Sequence, residues 1–161
     1  MVGLAPTQMQ ISIYDGIGDL PYFNPELDDD RSLLSVQNWR TQLQAADAIL
    51  FCTPEYAHGV PGVLKNALDW IVSSGELMAK PAAVISASPS PDGGEKANAS
   101  LVQTLRVMMA DISAGTILLI PAVSAKLTDR GEINDPQIVE AIQSLLTTLA
   151  ETVDRVSQPE H

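Results

Sequence analysis

The feature that most constrains this chain is an alternation of short apolar runs with longer stretches of helical spacing. The apolar runs are rich in β-branched residues and predict strands at residues 9–14, 48–53, 82–86 and 116–120. The other stretches predict helices near 33–46, 62–73, 96–113 and 136–156. Each connection is long enough for a crossover helix, so the pattern predicts an α/β fold with a four-stranded parallel sheet.

Two of the runs carry additional information. Residues 9–14 alternate between apolar and polar types, which is typical of a half-buried or edge strand. Residues 48–53 are apolar without alternation, which predicts a strand covered on both faces. Cys52 lies inside that second run, with no base or cation beside it in sequence. We therefore expect a buried, inert thiol.

Polar residues mark several boundaries. Ser32 is expected to cap the first helix, and Asp135, directly before Pro136, is expected to cap the last. The acidic triplet at 28–30 is expected to be a solvated loop, since no matching metal ligands lie nearby. No His, Cys or carboxylate cluster has the spacing of a metal site.

Composition narrows the class of protein. A length of 161 residues with 45% hydrophobic and 18% charged residues predicts one domain, residues 1–161, with its own core. A net charge of −11 argues against nucleic acid and against an anionic membrane surface as partners. We expect no signal peptide, since the first residues lack a basic region followed by an apolar one, and no apolar stretch approaches the length of about 20 residues that spans a membrane. Its single cysteine cannot form an internal disulfide, so we expect a cytoplasmic protein.

Ligand sites in parallel sheets lie beyond the carboxyl ends of the strands. In this chain those ends are the loops at 54–61, 87–94 and 121–125. The first of them is stiffened at its ends by Pro54 and Pro61, and Gly59 gives its backbone conformational freedom.

The segment around this first loop carries a family resemblance. It reads Thr53-Pro-Glu-Tyr-Ala-His-Gly-Val-Pro-Gly-Val-Leu-Lys-Asn-Ala-Leu-Asp-Trp70 and resembles the signature of the NADPH-dependent FMN reductases. These are flavodoxin-like flavoproteins that include quinone, azo-dye and chromate reductases. Segments 75–81 and 85–94 support the resemblance, which extends over roughly residues 8 to 155.

The resemblance implies a flavodoxin-like three-layer α/β/α fold with a parallel sheet. It also implies FMN as the cofactor, NADPH or NADH as the electron donor, and a small-molecule electron acceptor. The flavin itself performs hydride transfer, so no catalytic side chain is expected. The residues implied to contact the flavin are Pro54, Glu55, Tyr56, Ala57 and His58, with Ser88, Pro89, Ser90 and Gly93 approaching from the neighbouring strand.

Several of these residues have simpler interpretations. Tyr56 could cover the edge of the core, and His58 could be a solvated loop histidine. Glu55 could be a loop carboxylate that binds backbone or a partner subunit. On the helix that follows, we expect structural roles for Lys65, Asn66 and Trp70.

The resemblance fails at the N-terminus. The family opens with a strand, a Gly-, Ser- and Arg-rich loop that cradles the FMN phosphate, and a helix, whereas residues 9–14 correspond to its second strand. We therefore expect an N-terminally shortened domain that lacks the family's first strand and helix, binds FMN weakly or not at all, and has little reductase activity. Candidate cations for the phosphates are Lys65, Lys80, Lys96 and Arg106.

Three functions follow as hypotheses. The leading one is an FMN-dependent NAD(P)H oxidoreductase that reduces flavin, quinone or similar acceptors. The alternatives are a non-enzymatic flavodoxin-like assembly or regulatory subunit that has lost FMN binding, and an electron carrier. In each case the resemblance implies a homodimer or homotetramer that buries helices 62–73 and 96–113.

Overall fold

A parallel sheet forms the centre of the computed structural model, which describes residues 2–29 and 33–157. Among these residues the strands are β1 (Ile49–Thr53), β2 (Ala82–Ala87) and β3 (Ile117–Ile120). The α-helices are α1 (Leu34–Ala45), α2 (Gly62–Asp69), α3 (Glu95–Val107) and α4 (Pro136–Ser157). The predicted helices therefore all form, and three of the four predicted strands form with them.

The strand order is β1-β2-β3, and both neighbouring pairs are parallel. Register pairs Thr53 with Ser86 and Ser86 with Leu119, so the three strands end close together at one edge of the sheet. Central β2 is almost completely buried, as expected for an apolar run with a helix layer on each side. The loops after the strands therefore share one edge.

The helices cover the sheet on both faces. On one face α1, α2 and α3 build a core that includes Trp39, Leu68 and Leu105. On the other face α4 packs Ile142 and Leu146 among the residues of a second core. This confirms the predicted three-layer α/β/α architecture with a parallel sheet.

The predicted strand at residues 9–14 is wrong. The segment forms no ladder with β1, although Met9 and Ile11 pack against the α4 core. Tyr14 packs in the other core, with its ring 4.8 Å from that of Trp39, whereas Ile13 is 75% exposed. Side-chain contacts with the two cores hold the segment in place of a ladder. Alternation supplies the residue pattern of a strand, but a strand also needs a neighbouring backbone to pair with.

The expectation of a buried Cys52 is also wrong. Its side chain is exposed, on the strand whose far edge pairs with no other strand in the described residues. The apolar surroundings nevertheless desolvate the sulfur enough to raise the pKa of the thiol. A thiol with a raised pKa is a poor nucleophile at neutral pH, so the inert character remains our interpretation.

The boundary predictions have mixed outcomes. The Asp135 side chain accepts a hydrogen bond from the Gln137 N–H at 3.0 Å, and α4 begins at Pro136 as predicted. Ser32 lies outside the described residues, and Leu33, at the N-cap of α1, makes no side-chain cap.

The solvated loop predicted at 28–30 is wrong for Asp28, and Asp30 lies outside the described residues. Asp28 forms a salt bridge with Arg40 and accepts a hydrogen bond from the Ser73 hydroxyl, with its side chain only 10% exposed. Burial alone would raise the pKa of Asp28, but the hydrogen bonds from Ser73 and Arg40 and the guanidinium charge bring it below its ordinary value. Asp28 thereby connects the loop before α1 to the segment after α2.

Candidate functional site

The loops that follow β1 and β2 meet at the C-terminal edge of the sheet. If Gly94 carried a Cβ, that atom would lie 3.3 Å from the Cβ of Glu55 and 3.4 Å from the Cβ of Ser86. The loop after β2 is in turn bonded to the loop after β3, because Ala122 N–H donates to Ser90 and Val123 N–H donates to Ser88. The sequence-predicted site residues are therefore brought together on one edge.

Residues 56–59 form a tight turn that projects from the end of β1. Tyr56 and Gly59 exchange two backbone hydrogen bonds of 2.9 Å, while Ala57 and His58 occupy the left-handed region with φ of 50° and 63°. Two successive left-handed residues are typical of a type I′ turn, although Asn and Gly are preferred there. The strain of non-glycine residues in this region, roughly 1–2 kcal/mol each, must be offset by the contacts that hold the turn.

The turn is open to solvent. Pro54, Ala57 and His58 are exposed, and Tyr56 is 66% exposed, so this tyrosine does not cover the edge of the core. Within the described part of the chain, the backbone N–H groups of Ala57 and His58 have no hydrogen-bond partner. The turn therefore presents two free donors at the ligand-binding edge of a parallel sheet.

Glu55 is the residue of this loop that points inward. Its side chain is 10% exposed. One carboxylate oxygen, Oε2, accepts a hydrogen bond of 2.9 Å from the Ala97 N–H in the first turn of α3. The other, Oε1, lies 3.2 Å from Nδ1 of His58, which donates to it. Of the interpretations offered from sequence, the structure shows the loop carboxylate that binds backbone.

The loop after β2 is held by its own hydroxyl groups. Ser90 N–H donates to Oγ of Ser88 at 3.2 Å, and the two hydroxyl oxygens are 2.7 Å apart. The Ser90 hydroxyl in turn donates to Asp92. Ser88 is buried and Pro89 is exposed. The serine hydroxyls are thus engaged within the loop, and they shape it before any ligand arrives.

Gly93 is required where it lies. Its φ is 64°, and a Cβ there would meet the backbone of the loop after β3, 3.0 Å from Pro121 N and 3.1 Å from Ile120 C. A side chain at this position would therefore push apart two strand ends that form the site.

Two carboxylates occupy the N-terminal end of α3. Glu55 accepts a hydrogen bond from the Ala97 N–H, and Asp92 accepts one of 3.3 Å from the Gly94 N–H. The hydrogen bond from Ser90, then that from Gly94, and further the charge of nearby His58 lower the pKa of Asp92. Helix N-termini attract anions, and here the protein's own carboxylates fill that role. A phosphate bound here would face both carboxylates, which makes the position electrostatically unfavourable for it.

Three residues of the site were missed in the sequence. Asp92 lies in the loop, and Ser86 and Asn98 lie beneath it, where Ser86 donates to the Gly93 carbonyl at 2.8 Å and Asn98 donates to Ser86 at 3.2 Å. The available signals were a serine near the end of an apolar run and an asparagine on the apolar face of a helix. Both are polar residues at positions where the apolar pattern predicts burial, and buried polar groups need hydrogen-bond partners.

The predicted structural roles on α2 take a specific form. Asn66 accepts a hydrogen bond from the Phe23 N–H at 2.8 Å and donates to the Pro21 carbonyl at 2.9 Å. Trp70 donates to the same carbonyl at 2.8 Å. Lys65 forms an exposed salt bridge with Asp69 on the same helix.

Of the candidate cations for a phosphate, two are committed elsewhere. Lys65 is paired on α2, and Lys80 donates to the carbonyls of Leu43 and Ala46 at the end of α1. Lys96 is exposed in the first turn of α3, beside the site, and Arg106 lines a groove along the same helix. Among the described residues, no group of three His, Cys, Asp or Glu could hold a metal ion. None of the described helices is long and apolar enough to cross a membrane.

Comparison with known proteins gives consistent matches. The family model for the NADPH-dependent FMN reductases matches residues 3–122. An NAD(P)H-dependent FMN reductase from Pseudomonas aeruginosa is 34% identical over 157 residues, which cover 96% of this chain and 84% of the relative. A quinone reductase from Pseudomonas putida is 34% identical over 137 residues, covering 82% of this chain and 72% of the relative.

A solved structure of a flavoenzyme is similar to this chain in fold. FerB from Paracoccus denitrificans, a flavoenzyme NAD(P)H:(acceptor) oxidoreductase, superposes with a TM-score of 0.73 at 28% identity. The match covers 86% of this chain and 78% of that one.

Proposed function

Because this chain belongs to the NADPH-dependent FMN reductase family, and is by that membership an FMN-dependent NAD(P)H oxidoreductase, we propose that its exposed turn holds the isoalloxazine ring of FMN. The observation that carries the proposal is the pair of free N–H groups at Ala57 and His58, presented at the carboxyl edge of a parallel sheet. The comparisons give no support to a non-enzymatic subunit.

The described residues fit the ring of the cofactor. An isoalloxazine presents carbonyl oxygens along one edge, and the two N–H donors of the turn can satisfy them. Pro54 and Tyr56 border the turn, Glu55 fixes it from beneath, and Ser88, Pro89, Ser90 and Gly93 form the facing loop. When bound, FMN supplies the hydride-transfer chemistry, while the chain binds and orients it.

The described residues do not offer the same fit for the phosphate of FMN. At the nearest helix N-terminus, that of α3, the carboxylates of Glu55 and Asp92 already accept N–H groups and would repel a phosphate. If three charge-assisted hydrogen bonds to the phosphate are not made, at about 1.5 kcal/mol each, binding is weakened roughly a thousandfold. We therefore propose that recognition by these residues is dominated by the ring, with affinity for FMN in the micromolar range.

NADPH or NADH is proposed as the electron donor, and a quinone, a flavin or a similar small molecule as the acceptor. The relatives support this class, since their names include FMN reductase and quinone reductase. We also propose a cytoplasmic location, which is supported by a sequence with a single cysteine and therefore no internal disulfide.

A homodimer or homotetramer is proposed as the assembly. Support comes from apolar side chains exposed on and after α2 and α3, namely Val63, Val72, Val107 and Met109. A groove of about 530 Å³ runs along the same side of α3, lined in part by Val102, Val107 and Ile117. Exposed apolar surface of this kind is typical of protein interfaces.

The test is a titration of the 161-residue chain with FMN, followed by flavin fluorescence. We expect saturable quenching with a Kd above about 1 μM, and oxidation of NADPH or NADH by a quinone when FMN is saturating. Riboflavin should bind within a few-fold of FMN, because the contacts are to the ring.

Two tyrosine variants provide a matched pair for this test. Tyr56→Ala removes an exposed aromatic ring from the proposed site and should weaken FMN binding about three- to tenfold. Tyr22→Ala removes another exposed ring, 93% exposed on the segment held by α2, and should leave the affinity unchanged. Submicromolar binding of FMN would contradict ring-dominated recognition, and no binding at millimolar FMN would contradict the proposed function.

A further inference from the structure

Glu55 is a buried carboxylate in a loop that is otherwise exposed. It lies between the turn at 56–59 and the first turn of α3, and both of its oxygens are used. Neither oxygen points at the open edge of the turn, where the free N–H groups of Ala57 and His58 lie. The side chain of Glu55 is therefore not placed to line a ligand bound there.

Each of the two contacts fixes something different. The bond to the Ala97 N–H anchors the loop to α3, across 42 positions of sequence. The contact with His58 Nδ1 holds the second left-handed residue of the turn. Because left-handed conformations are costly for alanine and histidine, the turn needs such anchors to keep its N–H groups pointing in one direction.

From this geometry we propose that Glu55 is a positioning residue for the flavin. Its carboxylate serves as the internal anion of the α3 N-terminus and locks the turn in its binding-competent shape. The proposal rests on the proposed function, since it takes the turn as the flavin site. It assigns to Glu55 an indirect role in place of direct contact with the cofactor.

The expected change in the Kd for flavin depends on the fraction of molecules in which the turn has its binding-competent shape. The apparent Kd of a ligand rises in inverse proportion to the fraction of protein in the competent conformation. If loss of the anchor leaves the turn competent in about a tenth of the molecules, the Kd for flavin rises about tenfold. FMN and riboflavin should lose affinity by the same factor, because they share the ring that the turn holds.

Three variants test the proposal. Glu55→Ala removes both contacts. Glu55→Gln keeps an oxygen for the Ala97 N–H and an amide group next to His58, and should restore most of the affinity. Glu95→Gln neutralises another carboxylate in the first turn of α3. Glu95 is exposed and has no part in the proposed anchoring of the turn at 56–59. It serves as the control and should bind flavin as the unmodified chain does.

Three measurements are made on each variant. Hydrogen exchange of the Ala97 amide reports the anchor without any flavin, and we expect protection to fall in Glu55→Ala and to persist in Glu55→Gln. Titrations with FMN and with riboflavin report positioning, and we expect parallel losses of about tenfold in Glu55→Ala only. Thermal unfolding of the same samples shows whether the fold is intact.

The outcomes separate the two proposals. If Glu55→Ala loses amide protection yet binds both flavins as before, the positioning role is overturned and the proposed function stands. If Glu55→Ala or Glu55→Gln binds FMN more tightly while riboflavin is unaffected, the carboxylate acts by repelling the phosphate, and positioning is again overturned. If the unmodified chain binds neither flavin, the proposed function fails and the positioning role fails with it.

Discussion

Single residues in this chain carry several polar contacts that join distant segments. Lys80 donates to carbonyls at the end of α1, at 2.8 Å for Leu43 and 2.6 Å for Ala46, and so ties the start of β2 to that helix. Desolvation lowers the pKa of Lys80, since its ammonium group is partly buried among these carbonyls. Cations are favourable at helix C-termini, where the last carbonyls have no partner within the helix.

Asp28 predicts a pH dependence of stability. Its pKa is lowered in the folded chain, so the stability it contributes is fully present above its ordinary value of 3.8 and is lost as the pH falls through the lowered value. Asp28→Asn should therefore reduce the free energy of unfolding near neutral pH, by about 1–2 kcal/mol for the hydrogen bonds to Arg40 and Ser73. The difference should shrink below the ordinary pKa, as the carboxyl group of the unmodified chain becomes protonated.

Urea unfolding of both proteins near neutral pH and near pH 3 measures this difference. Asp129→Asn, at an exposed carboxylate, is the control and should change stability little at either pH. A difference between Asp28→Asn and the unmodified chain that stays constant across this range would contradict the assignment.

At the scale of elements, α2 belongs to the family signature and also acts as a clamp, because side chains on it and directly after it bind the backbone of residues 21–23. Its Asn66 and Trp70 together bind the Pro21–Phe23 backbone, and the Phe23 ring meets the Trp70 ring edge-on at 5.1 Å. An irregular segment of this kind has few backbone partners of its own, so the side chains of a neighbouring helix supply them.

Asn66→Ala should therefore destabilise the fold by about 1–3 kcal/mol, because it leaves the Phe23 N–H and the Pro21 carbonyl with one partner fewer. Chemical denaturation measures the loss, and limited proteolysis should show earlier cleavage near residues 21–23. Lys65→Ala, on the exposed face of the same helix, should stay within about 0.5 kcal/mol of the unmodified chain. Equal stability of the two variants would argue against the clamp.

At the scale of the whole molecule, the charge of −11 bears on the proposed assembly. Two copies of a strongly acidic chain repel each other, so their association depends on apolar contact and strengthens as salt screens the charges. We expect sedimentation at micromolar concentration to show multiples of 17.2 kDa, with more assembly at higher salt.

Val107→Glu tests the surface concerned, since Val107 is 77% exposed at the end of α3. A carboxylate there should shift the population towards monomer, because a charge buried in an apolar interface is unfavourable. Val156→Glu, on α4 at the other face of the sheet, should leave assembly unchanged. A 17.2 kDa monomer for the unmodified chain at all salt concentrations would contradict the proposal.

Much of the secondary structure of this molecule can be predicted from local sequence. The apolar periodicities predict α1 to α4 and β1 to β3, although α2 ends at Asp69 and α3 at Val107, before the predicted ends at 73 and 113. Asp135 before Pro136 marks the start of α4. The signature at 53–70 indicates the family and draws attention to the turn at 56–59. These features are local, since a helix, a cap or a tight turn is decided by residues a few positions apart.

Contacts between distant residues were decided by the tertiary structure. The Ala97 N–H that Glu55 binds is 42 positions away, and the Pro21 carbonyl lies 45 from Asn66, so no spacing along the chain reveals either pair. The alternation at 9–14 predicts a strand, but a ladder needs backbone from a second segment, and β1 does not pair with it. Sequence thus determined which segments could be helices and strands, while the fold determined which of their polar groups would meet, because each such bond depends on two segments being brought together.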